Sequence, residues 1–195
     1  VSTTKSTVVI NLWAGPGAGK STTAAGLFHL MKVLGLNVEL ASEYAKDLTW
    51  EKNITRLKNQ LLVFATQDHR LRRLLGQVDY IITDSPLPLG IAYMGPEFGE
   101  WLPEAISQCF DGYDNRDFLL QRKKAYSPIG RNETEHQALV KDIAIADLFR
   151  EFTEGEDGEL DNAWVIPGDA SAPYVILDAL GIDWASMAIE MEEVA

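Results

Sequence analysis

Ala14-Gly15-Pro16-Gly17-Ala18-Gly19-Lys20-Ser21-Thr22 is the stretch that decides the fold. It lies between an apolar, β-branched run at 7–13 and a segment at 21–34. In that segment Leu27, Leu30, Met31 and Leu34 share one helical face, and Gly35 supplies a stop. Strand, glycine loop and helix in this order form the setting of a phosphate loop. Gly15, Gly17 and Gly19 let backbone N–H groups converge on phosphate oxygens with no Cβ in the way, and Pro16, Ala18 and Thr22 complete the cradle. Lys20 is placed to reach a transferring phosphate and Ser21 to ligate magnesium, while the helix N-terminus adds a favourable dipole. The general pattern has glycine six residues before the lysine; Ala14 stands there instead.

Outward from the loop, short strands alternate with helical segments. Apolar runs at 38–40, 80–82, 118–120 and 163–166 read as four further strands. Helical periodicity covers 50–75, as one helix or two, and recurs at 133–152 and 173–180. The strands are apolar throughout instead of alternating, which suits a parallel sheet covered on both faces. The expectation is an α/β fold of the P-loop NTPase type: a five-stranded parallel sheet flanked by helices, with a lid segment. The stretch 93–112 carries no assignable pattern, and 154–161 reads as an acidic surface loop.

The chain has 195 residues, 46% apolar and 24% charged, a length that fits a single domain over 1–195. Its net charge of −12 is uneven: residues 151–195 hold 12 acidic groups and no Lys or Arg, so the rest is neutral. This balance argues against a whole-surface DNA binder and leaves room for a local cationic channel. The single Cys109 excludes a disulfide framework and a multi-cysteine zinc site. A polar start and the lack of an apolar run of membrane-spanning length predict no leader and no membrane partner; a reducing, cytoplasmic compartment is the default.

In an open parallel sheet, ligands bind beyond the carboxyl ends of the strands. Asp84, directly after the third strand, is a candidate to organise magnesium or to orient an acceptor hydroxyl. Glu43, after the second, is a candidate to align or deprotonate that hydroxyl. Gln67 and Arg70 lie three apart on one helix face and are candidates to address the acceptor. Arg122, Lys123, Lys124 and Arg131 surround Tyr126-Ser127-Pro128-Ile129-Gly130, a shaped loop that reads as a cationic lid over 122–132. Arg122 and Arg131 are expected at the migrating phosphoryl group, and Lys124 near a substrate backbone. Asp169, after the fifth strand, is expected near the adenine of ATP.

The run from Ile10 to Ala25, with Ser42-Glu43-Tyr44-Ala45-Lys46-Asp47, Thr83-Asp84-Ser85-Pro86 and Tyr126 to Glu133, resembles the bacteriophage P-loop kinases. Within that group it is similar to the thymidylate 5-hydroxymethyluracil DNA kinases, and the resemblance spans most of 8–135. It implies ATP and Mg2+ as cofactors and hydroxymethyluracil-containing DNA as acceptor, in a hypermodification that protects phage DNA from restriction inside an infected bacterium. Lys20 and Ser21 would then handle ATP and magnesium, Glu43 or Asp84 would activate the hydroxymethyl group, and Arg122 and Arg131 would stabilise the transferred group. A more distant similarity reaches the deoxynucleoside kinases, with Glu43 and Gln67 at their base and base-reading positions. It implies a free nucleoside or nucleotide acceptor, although Asp84-Ser85-Pro86 lacks the arginine of their motif. A third reading is an NTPase that hydrolyses ATP without transfer.

Overall fold

The computed structural model describes residues 6–186, except 124, 128, 130 and 131. Five parallel strands form one sheet: β1 (Val8–Trp13), β2 (Val38–Ala41), β3 (Tyr80–Thr83), β4 (Asp114–Arg122) and β5 (Ala163–Gly168), in the order β2-β3-β1-β4-β5. β1 is central, and every residue from Val9 to Trp13 is buried, as a strand covered on both faces requires.

Side chains alternate across the sheet with the period of two that a strand imposes. Ile10, Leu12, Ile82, Phe118, Leu120 and Ile166 face a core closed by α1 (Lys20–Val33) and α7 (Ala172–Ala179). Val9, Trp13, Ile81 and Ala163 face the opposite core. That layer is built by α4 (Gln60–Arg72), α5 (Trp101–Phe110) and α6 (Glu135–Thr153). Trp13 anchors this second core: its ring meets Phe110 and Phe149 edge-on, and its indole N–H donates to buried Asp117 on β4 at 2.7 Å. Burial pushes the Asp117 carboxyl up to about 7, against the opposing pull of the Trp13 and Asn11 hydrogen bonds.

The helical stretch expected over 50–75 is divided. α2 (Tyr44–Trp50) ends before Lys52, which adopts a left-handed φ of 56°. α3 (Ile54–Lys58) follows, and then α4. Asn53 and Asn59 cause the breaks, because each side chain accepts a backbone N–H of the next helix, from Arg56 and Leu62 respectively. The unassigned stretch holds α5, where Leu102, Ile106 and Phe110 make one buried face. β4 runs longer than expected because its outer residues are polar, and Arg122 is its last residue. α6 opens on a capping box between Thr134 and Gln137, which fixes where the lid segment ends. Within the acidic loop, Glu154 and Leu160 form an antiparallel bridge. Among the described residues no helix is long and apolar enough to cross a membrane.

Candidate functional site

The glycine loop joins β1 to α1, at the carboxyl edge where β1 lies between β3 and β4. Gly17 and Gly19 take φ of 75° and 121°, conformations a side chain would strain. Gly15 is required by close approach instead: a Cβ there would fall 2.1 Å from Asp142 Oδ1, which accepts the Gly15 N–H at 3.1 Å. Lys20 folds back over the loop, and its Nζ donates to the carbonyls of Ala14 (2.6 Å) and Gly15 (3.3 Å). Ala14 therefore serves through its backbone oxygen, and its buried methyl group belongs to the core.

Asp84 ties the two halves of the site together. Its Oδ2 accepts the Ser21 hydroxyl at 2.6 Å and its Oδ1 accepts the Glu43 N–H at 3.1 Å. Ser21 and Asp84 thus present two hard oxygen donors side by side, a set that fits magnesium, which binds through one or two protein oxygens and keeps several waters. Lys46, on the first turn of α2, donates from Nζ to Ser21 Oγ at 3.1 Å. The sequence signal for Lys46 is its place three residues after Glu43, at the start of a helix.

A cavity of about 290 Å³ opens from this cluster. Its phosphate end is bounded by Gly17, Gly19, Lys20 and Ser21, its middle by Glu43 and Lys46, and its far end by Leu57, Gln60, Val63, Leu89 and Tyr93. Asn132 and Glu133 complete the wall, and the Asn132 amide donates to Thr49 Oγ1 on α2 at 3.0 Å, roofing the cavity from the lid side. Gln60 is 4% exposed. Its Nε2 donates to Leu57 O at 2.8 Å, which fixes the amide orientation, since that carbonyl only accepts. Its Oε1 is buried with no hydrogen-bond partner among the described residues. An orphaned buried acceptor costs about 1–3 kcal/mol, and a ligand donor would recover it.

Other expected residues stand elsewhere. Gln67 is 2% exposed and spent on the scaffold, accepting the Tyr44 N–H at 3.1 Å and donating to Thr83 Oγ1 at 3.4 Å. Arg70 clamps the β2–α2 turn through Ser42 O at 2.9 Å and Asp47 at 2.5 Å, with its guanidinium over the Tyr44 ring. Neither lines the cavity. Arg122 forms a two-pronged pair with Asp142 and donates to Pro16 O at 2.8 Å, so it braces the loop from behind instead of facing the cavity. Asp169 is exposed and accepts from the Ser171 N–H and hydroxyl, which hold its carboxyl below the usual range. Lys124 and Arg131 lie outside the described residues. Of the lid, Tyr126 is placed close to Gly17, where a Cβ would stand 3.4 Å from its ring, and its hydroxyl donates to Glu133 O.

Sheet order, loop and the Ser21–Asp84 pair together define a P-loop nucleotide-binding α/β domain. Residues 9–157 match the family described as AAA domain, and the chain belongs to that family. No curated protein matches the chain. Among solved structures, the crystal structure of APE1195 is similar at 15% identity, over 95% of this chain and 96% of that one, with a TM-score of 0.40. A likeness that slight carries no argument about this chain.

Proposed function

We propose that the protein is an ATP-dependent phosphotransferase acting on the hydroxymethyl group of 5-hydroxymethyluracil in DNA, as its resemblance to the phage kinases implies. The observation that carries the transferase part is the cavity, which runs past the phosphate loop to apolar walls at Leu57, Val63 and Leu89. Hydrolysis needs room only for water, whereas transfer to a ring-bearing acceptor needs a second chamber.

In this reading the loop amides, Lys20 and Lys46 hold and neutralise the ATP phosphates. Ser21 and Asp84 would hold magnesium, which when bound screens phosphate charge. Asp84, beside Ser21, would serve the magnesium, and the base is assigned to Glu43, which lines the cavity. The acceptor oxygen forms a bond to the γ-phosphorus, the bridging bond to the β-phosphate oxygen breaks, ADP leaves, and the hydroxyl proton passes to Glu43. Leu57, Val63 and Leu89 flank the base. Gln60 Oε1, in place of Gln67, accepts a ring N–H. Arg122 acts by holding the loop in shape.

A free nucleoside or nucleotide is the second reading, favoured by the Asn132–Thr49 bridge that roofs the cavity. Offering radiolabelled ATP with hydroxymethyluracil DNA, ordinary DNA and the free nucleoside separates the two. Label in the modified DNA alone is expected. Label in the free compound alone would replace this acceptor with its rival, and phosphate release with no labelled product would refute the transferase.

A further inference from the structure

The surface that leads into the cavity has an unusual make-up for so acidic a chain. From the end of α2 through α3, Trp50, Lys52, Ile54, Arg56 and Lys58 are all exposed, Trp50 by 62% and Ile54 by 46%. Five cations elsewhere are paired, Lys32 with Glu39, Arg70 with Asp47, Arg72 with Asp68, Arg116 with Asp114 and Arg122 with Asp142. Among the described residues, no carboxylate lies within salt-bridge distance of Lys52, Arg56 or Lys58. Glu51 is the one acidic residue within 50–58, so this stretch is locally cationic in a chain of net charge −12. Its far end lines the cavity through Leu57 and Lys58, and its near end adjoins Thr49, which lines the cavity too.

A solvated tryptophan among unpaired cations matches the chemistry of a nucleic acid strand. Phosphates seek Lys and Arg, and an unstacked base covers an exposed aromatic face. A duplex keeps its bases stacked on each other, so only a single or locally opened strand can use Trp50. An acidic protein segment would satisfy the cations and leave the indole bare. We propose that residues 50–58 form a docking surface for single-stranded DNA beside the reacting base, with a neighbouring base on Trp50 and phosphates on Lys52, Arg56 and Lys58. This rests on the DNA-acceptor reading, which it deepens by placing the strand along α2 and α3.

The test measures anisotropy of a labelled oligothymidylate of about 15 nucleotides with the full chain at low salt, and separately the affinity for a fluorescent ATP analogue. Binding is expected to weaken with salt, with a log–log slope of about −2 for three phosphate contacts. Trp50→Ala should lower DNA affinity about 10-fold and Trp50→Phe should restore most of it, as stacking on an aromatic face requires. The double variant Lys52→Gln/Arg56→Gln should make the slope shallower by about 1.4. ATP affinity should stay unchanged in all of them, which also reports that they fold. The surface is overturned if the oligonucleotide fails to bind, if binding ignores these substitutions, or if Trp50→Ala instead dissociates a dimer. The two proposals fail separately. Variant-sensitive DNA binding without label transfer to DNA sinks the acceptor reading alone, whereas DNA phosphorylation with an unaltered KM in the variants sinks the surface alone.

Discussion

In the proposed transferase the phosphate side and the acceptor side of the cavity are built by different means. On the phosphate side the working groups are mostly backbone, contiguous in sequence, and held from behind by Asp142, Arg122 and the Trp13–Asp117 pair. The acceptor side uses single side chains from separate segments: Glu43 before α2, Gln60 at the start of α4 and Asn132 from the lid, while Lys46 on α2 reaches back to Ser21 on the phosphate side. Backbone recognition needs a local conformation, which glycines and a strand–helix junction specify within a few residues. Side-chain recognition needs a direction, which depends on where each helix stops.

Substitutions on the two sides should differ in size and in kind. Lys20→Met is expected to lower kcat about 1,000-fold, because it removes charge aimed at the migrating phosphoryl group. Lys46→Met should cost nearer 100-fold, also in kcat. Steady-state kinetics with a fixed acceptor checks both, and an effect of Lys46→Met confined to ATP KM would remove it from the transfer step.

The glutamines sharpen the comparison further. Gln60→Leu should raise the acceptor KM about 10-fold and cost at most about 1 kcal/mol of stability, since loss of the bond to Leu57 O is offset by removal of an acceptor that has no partner within the described protein. Gln67→Leu should instead cost about 2 kcal/mol of stability, because it strands the Tyr44 N–H inside the protein. Urea unfolding and acceptor kinetics on both variants decide the matter, and the reverse pattern would return base recognition to Gln67.

This pair also marks what the sequence could tell. Strand, loop and helix around 8–33 were legible because apolar runs, glycines and the Lys20-Ser21 step all point the same way. Asp84 was legible as the residue after a buried strand. Gln67 and Arg70 were legible as a polar helix face, but their direction depends on α4 starting at Gln60, behind the Asn59 cap. Read as one helix or two over 50–75, with no break fixed at Asn59, the stretch gives no reason to look at Gln60. Arg122 looked like a loop cation because β4 is flanked by polar residues, whereas the strand carries it to the rear of the loop.

The smallest effect on activity is expected in the scaffold that both sides share. Asp117 lies on β4 opposite Asn11 of β1, with its carboxyl raised to about 7, while an unfolded carboxyl titrates at about 4. Between those values the native state retains a proton that the unfolded chain has released, so this group's contribution to stability falls as pH rises from about 4 to about 7. Asp117→Asn keeps the oxygen that accepts from Trp13 and removes the titration. The drop in Tm from about pH 5 to about pH 8 should narrow by about 5 °C in the variant. An equal drop in both proteins would locate the pH dependence elsewhere.

The central claim is geometric: ATP settles on the amides of residues 15–21 with its terminal phosphate turned toward Glu43 and Lys46. A crystal structure with a non-hydrolysable ATP analogue and magnesium tests it most directly. The account predicts the β- and γ-phosphates on the loop, Ser21 and Asp84 about the metal, and the γ-phosphate opening into the chamber lined by Leu57 and Gln60. A nucleotide whose γ-phosphate points away from that chamber, or which binds apart from the loop, would contradict it.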